Sequence, residues 1–296
     1  MKPENATHAL TRFAPRGRLA LWLAAGLAAL SVTNYSHAEV RVSSLPYVQR
    51  FDSNDYASSA LWLTGGARHE WVSTGGWNGT GAAKIFPPTS EQSYGGLGQY
   101  ILALGSNVPE QLNVRWLQYH GSTWRENASG EKLIILNRNG NGGRPMIILR
   151  ESSSGGQTWE TLGACDGTVC RYEGGDYWPD GTDRLKIGNR PVAREEEWIS
   201  IEFEANTRTG MIRLYVDTMD GRLSGLYIER PMDDSGPGGT WSHVDIIGGY
   251  FNLASRADPN NYFMIDELQI ASSRIGPPPG FNNATRPTPP TGLSAQ

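Results

Sequence analysis

Apolar side chains in this chain recur in short alternating runs. Across 198–204, Ile199, Ile201 and Phe203 fall on one face, and Trp198, Ser200, Glu202 and Glu204 fall on the other. Across 211–217, Ile212, Leu214 and Val216 alternate with Arg213, Tyr215 and Asp217. A period of two is that of a half-buried β-strand. The segment 206–210 supplies a turn, and the spacing predicts a hairpin with Glu202 opposite Arg213 and Ser200 opposite Tyr215. One face of that hairpin is then core, while the other presents Trp, Tyr, Glu and Arg. Further strands are predicted at 98–104, 112–119, 132–137, 146–151, 223–230, 244–250 and 262–271. Shorter ones are predicted at 60–63, 70–73, 82–86, 159–162 and 183–187. Beyond residue 38 no segment keeps a 3.6-residue apolar stripe over three turns. No repeat of propeller or β-helix length is visible. The pattern predicts an all-β chain, one large two-sheet antiparallel β-sandwich.

Composition sharpens this picture. The 36 glycines and 18 prolines punctuate a chain of 296 residues too often for a helical bundle, and the 10 tryptophans exclude a disordered polar tract. Charged residues make up 19% and the formal net charge is −4, so no basic surface points to nucleic acid. Residues 1–38 read as a signal peptide. Lys2, Arg12, Arg16 and Arg18 precede an apolar run over 19–32, and Ser36 and Ala38 take the small-residue positions of a cleavage site. That run is short for a membrane span, although an uncleaved anchor is the alternative reading. A secreted or periplasmic location follows, with no stable membrane insertion after cleavage. The sandwich is expected over 39–276. The stretch 277–296, rich in proline, reads as a disordered, linker-like tail.

Cys165 and Cys170, the two cysteines of the chain, flank Asp166-Gly167-Thr168-Val169, and Asp-Gly favours a tight turn. In an oxidising compartment a disulfide closing this loop is expected, stabilising by roughly 2 kcal/mol because the loop is short. No third or fourth ligand lies nearby to make the pair a metal site.

Several segments resemble the concanavalin A-like lectin/glucanase superfamily, in particular its secreted laminin-G-like and polysaccharide-lyase-like jelly rolls. The opening 49–53 resembles the first strand, and Leu112-Asn113-Val114-Arg115-Trp116-Leu117-Gln118-Tyr119 resembles the strand presenting basic and aromatic residues. The runs 131–138, 197–202 and 210–217 resemble successive later strands, and 263–270 with 274–277 resembles the closing strand. The resemblance covers about 45–277 and implies a glycan partner held on a concave sheet face. Sugar rings stack on aromatic rings, and Asn, Gln, Arg and carboxylates read hydroxyl groups. On this reading Trp198, Glu202, Arg213, Tyr215 and Arg150 bind carbohydrate. The resemblance also implies a structural Ca²⁺ where the first and last strands meet, with Asp52 and Asp266 as ligands.

Whether the chain is an enzyme stays open at this point. The Glu-x-Asp-x-Glu pattern of laminarinase-type glycosidases is absent, and so are Gly-x-Ser-x-Gly, a Walker loop and His-Glu-x-x-His. Lyases that β-eliminate uronate polymers need a carboxylate-neutralising donor and a Tyr or His to move protons. Arg115, Tyr119 and His120 are the candidates, although the alginate-lyase Gln-Ile/Val-His motif is missing. Three functions remain: a polysaccharide-binding module, a polysaccharide lyase, and a structural or adhesive surface protein. A lyase that uses Arg115, Tyr119 and His120 requires the three to line one groove.

Overall fold

The computed structural model describes residues 40–54, 61–62, 68–86, 99–105, 108–122, 131–139, 145–154, 157–166, 169–172, 177–178, 196–232, 238–246 and 259–283. The leader, the strand expected at 183–187 and the end of the tail lie outside them. The described residues form two sheets. In the eight-stranded sheet the order is β15 (Leu226–Pro231), β14 (Met211–Thr218), β13 (Trp198–Asn206), β7 (Gln111–His120), β17 (Phe263–Ala271), β5 (Ala82–Phe86) and β4 (Arg68–Val72), with β2 (Tyr47–Gln49) also paired to β17. In the nine-stranded sheet it is β1 (Val40–Val42), β6 (Gln99–Leu104), β16 (Thr240–Ile246), β8 (Glu131–Asn139), β9 (Met146–Ser154), β10 (Gln157–Asp166), β11 (Val169–Tyr172) and β12 (Tyr177–Trp178), with β3 (Leu61–Trp62) on β6. The chain crosses from one sheet to the other at β6–β7–β8 and again at β15–β16–β17, as a jelly roll does. Every pairing is antiparallel except β1 with β6.

Alternation explains the core. Leu112, Val114 and Trp116 of β7, Ile199, Ile201 and Phe203 of β13, and Phe263 and Ile265 of β17 are buried between the sheets. They meet Leu102 of β6, Leu136 of β8 and Val244 and Ile246 of β16. β16 begins at Thr240, four residues earlier than its pattern suggests. A bulge between Trp241 and His243 lets Trp241 join the core, where its indole N–H donates to the Glu110 carbonyl at 3.1 Å.

The β13–β14 hairpin forms in a different register from the expected one. Glu202 faces Tyr215, Ser200 faces Asp217, and Glu204 faces Arg213. The cause is the turn. The Asn206 side-chain oxygen accepts the backbone N–H of Arg208 at 2.9 Å and of Thr209 at 3.0 Å. Asn206 therefore stays in the ladder opposite Met211, and Gly210 closes the turn at a φ of 66°. In the β10–β11 hairpin the register sets Cys165 opposite Cys170 and Asp166 opposite Val169.

A second apolar cluster lies on the outer side of the eight-stranded sheet. It gathers Trp77, Leu117, Tyr119, Trp198, Tyr262, Met264 and Phe281. Phe281, 1% exposed, begins a single 3₁₀ turn (Phe281–Asn283), and its ring centroid is 4.9 Å from that of Trp77. The stretch 277–283, expected to belong to a disordered tail, is part of the packed fold. A large buried ring supplies the driving force that the prolines alone do not.

Candidate functional site

Glu202 lies at the centre of the outer face of the eight-stranded sheet, between Arg115 of β7 and Tyr215 of β14. Because Ile201 and Phe203 turn inward, Glu202 turns out. It is nevertheless only 2% exposed, since a return of the chain covers it. Its carboxylate accepts the Asn113 amide at 2.8 Å and the backbone N–H groups of Ile275 and Gly276 at 2.9 and 2.8 Å, and it pairs with Arg274. The Arg274 guanidinium lies 3.9 Å from the centre of the Tyr215 ring. The Tyr215 hydroxyl donates to Glu204 at 3.1 Å, and Arg213 pairs with both Glu204 and Glu229. Burial, with the Glu204 charge beside it, pushes the Tyr215 phenol up to about 12. Hydrogen bonds donated to Glu229 and Glu204 raise Arg213 further above its ordinary value. The structure thus brings Arg115, Glu202, Arg213 and Tyr215 together on one face. Glu202 and Tyr215 hold the segment after β17 through Arg274, Ile275 and Gly276, while Arg213 is engaged by Glu204 and Glu229.

Tyr119 and Trp198 share that face at its other end. Their ring centroids are 5.4 Å apart, but they are 4% and 1% exposed within the second apolar cluster. A sugar cannot stack on rings so covered, which corrects the expectation of an aromatic platform there. Alternation alone could not reveal this, because other members of that cluster, Trp77, Tyr262 and Phe281, are distant in sequence. His120 points the other way. Buried between the sheets, it lies 2.7 Å from the Gln118 amide, whose oxygen accepts the Trp116 indole N–H at 3.0 Å. Adjacent strand residues take opposite faces, and Arg115 and Tyr119 are separated by about 13 Å of strand. Arg115, Tyr119 and His120 do not line one groove. Arg150 lies in β9 opposite Thr161, its side chain outside the described ones.

The calcium expectation is met by residues that do not fit the ion. Asp266 is fully buried, and its two oxygens accept the N–H of Trp77 at 2.8 Å, the N–H of Glu267 at 2.7 Å and the Thr80 hydroxyl at 3.1 Å. Burial pushes its carboxyl up to about 7 against the pull of those donors. Asp52 is exposed on the chain just past β2. Asp266 closes a loop onto β17, and three donors from the protein already occupy its two oxygens.

The nine-stranded sheet carries a row that the sequence pattern did not expose. Val244 and Ile246 are buried in the core, so His243 and Asp245 project outward. Leu136 and Leu102 fix Asn137 of β8 and Ala103 of β6 on the same side. Across adjacent strands, Arg41 pairs with Ala103, Ala103 with His243, and His243 with Asn137. Asn137 donates to Asp245 at 2.7 Å. Arg41 is exposed, and His243, Asn137 and Asp245 are half-buried. The row was missed because His243 fell outside the strand expected at 244–250 and no strand was expected at Arg41. The alternation of His243, Val244, Asp245 and Ile246 was the available signal.

No family model and no curated protein matches the chain. Solved structures similar to it include an endo-β-1,4-glucuronan lyase from the fungus Trichoderma reesei, at TM-score 0.46 and 12% identity over 77% of this chain and 95% of that one. An alginate lyase from Chlorella virus is similar at TM-score 0.42 and 11% identity, over 72% and 93%. The binding domain of botulinum neurotoxin serotype D is similar at TM-score 0.36 and 14% identity, over 71% and 44%. At these identities the likeness concerns the path of the chain and not its side chains.

Proposed function

We propose that the protein binds an acidic polysaccharide along the outer face of the nine-stranded sheet. The observation that carries this reading is the row Arg41, Ala103, His243, Asn137, which crosses four strands, about 14 Å at the usual strand spacing. Arg41 supplies an exposed cation for a carboxylate. Ala103 keeps the surface low between Arg41 and His243, while Asn137 and Asp245 offer the donors and acceptors that read hydroxyl groups. The resemblance to the concanavalin A-like sandwiches supports the reading, as does a leader that would export the chain to where such polymers are met.

The test is retention of the chain lacking residues 1–38 on immobilised alginate, polygalacturonate and dextran. Retention by the two uronate gels and not by dextran is expected, weakened about tenfold in Arg41→Ala, the loss of one charge-assisted hydrogen bond. Equal retention of wild type and Arg41→Ala would sink this placement.

His243 favours a second reading, a lyase. The His243 imidazole could take the C5 proton of a uronate as the C4–O bond breaks and a water protonates the leaving oxygen. Growth of the unsaturated product's ultraviolet absorbance, lost in His243→Ala with retention intact, would establish it. Neither retention nor product would leave a structural surface role.

A further inference from the structure

Arg115 on β7 points out of the eight-stranded sheet into a setting where its hydrogen bonding is incomplete. Its side chain is 5% exposed. Only Nη2 has partners, the Gln269 side-chain oxygen at 3.2 Å and the Glu267 carboxylate at 3.8 Å. Nε and Nη1 are buried with no acceptor among the described residues. Burying guanidinium N–H groups without acceptors costs free energy that a native structure recovers through a water, an ion or a ligand. The neighbouring carboxylate does not serve them, because Glu202 is engaged by Asn113, Arg274, Ile275 and Gly276.

Arg115 lines a cleft of about 400 Å³ between the sheet and the segment that follows β17. That volume suits a small molecule. Arg274, Gln269, Ser272 and Ser273 supply its other polar wall, and Leu45 with Pro277 belongs to an apolar one. Two arginines line the cleft, and the Arg274 guanidinium is also paired with Glu202 and stacked over Tyr215. The Glu267 charge beside Nη2 disfavours a dianion such as phosphate more than a monoanion.

We propose that this cleft is a carboxylate-binding site, in which the ligand's carboxylate sits between Arg115 and Arg274 and gives Arg115 the acceptor it lacks. The site is on the opposite sheet from the Arg41–Asn137 row, so it stands or falls separately from the polysaccharide reading. The carboxylate could come from a small organic acid or from a uronate sugar; the chemistry recognised is the same.

The experiment titrates benzoate, benzamide, galacturonate and inorganic phosphate into the ¹⁵N-labelled chain and follows the Arg115 Nε–H resonance. Benzoate or galacturonate is expected to shift it saturably, with benzamide and phosphate weaker by about tenfold or more. Tighter binding of benzoate identifies an organic acid as the source, and tighter binding of galacturonate identifies a uronate. Arg115→Met is expected to lower affinity for the better ligand at least about tenfold. Because Arg115 is buried, Ser273→Tyr provides a second variant that fills the cleft from an exposed position while leaving Arg115 in place. Its circular dichroism should match wild type while binding is lost. Binding undiminished in Ser273→Tyr, benzamide equal to benzoate, or no shift from either carboxylate at tens of millimolar would overturn the proposal.

Discussion

Asp266 sets two opposing effects against each other in one side chain. Full burial disfavours its charge, while the N–H groups of Trp77 and Glu267 and the Thr80 hydroxyl favour it, and burial wins, with the carboxyl at about 7. A carboxyl raised in the folded state binds its proton more tightly there than in the unfolded chain. Its contribution to stability is then complete below about 4 and is lost as pH rises through about 7. The difference in urea midpoint between wild type and Asp266→Asn should therefore change across pH 4–7 in favour of wild type at the acid end, and level off above 8. A difference independent of pH would show that the carboxyl titrates normally. At this scale the sequence was partly legible. Alternation placed Glu202, Arg213 and Tyr215 on one outward face, as observed. It could not show that Glu202 would be consumed by Arg274, 72 residues away, because a carboxylate's partners are chosen by chain crossings and not by local period.

The segment after β17 acts as a strap across the eight-stranded sheet. Glu202 anchors its start and Phe281 its end, where a turn is closed by the Phe281 N–H donating to the Pro278 carbonyl at 3.0 Å. Phe281→Ala is expected to destabilise the protein by about 3 kcal/mol, the usual cost of removing a buried ring. Limited proteolysis would then cut within 277–283 at protease levels that leave wild type intact, whereas Phe281→Leu should retain most of the protection. Proline density suggested disorder for this strap, since composition carries no information about a hydrophobic anchor's destination. The β13–β14 strands themselves were legible from their period of two. Their register was not, because it depends on whether Asn206 ends the ladder or joins it, a choice made by two side-chain hydrogen bonds.

At the scale of the whole molecule, the two outer sheet faces differ. One is closed by the strap and an ion-pair network, and the other carries the Arg41–Asn137 row. The chain's formal net charge of −4 opposes an acidic polymer overall, so retention on uronate gels must rest on the local cation. Such retention is expected to fall between about 50 and 500 mM salt as that contact is screened, and to fall less steeply in Arg41→Ala. A slope unchanged by the substitution would place the contact elsewhere. The two-sheet architecture was written into the chain as short alternating strands separated by glycine and proline, because such a sandwich needs one apolar face per strand and a turn after each. Which outward faces would be covered, which glutamates would be spent on ion pairs, and that His120 would be core while His243 reached the surface were decided only in three dimensions. Burial of an outward face is a property of distant segments meeting, and local pattern does not encode that meeting.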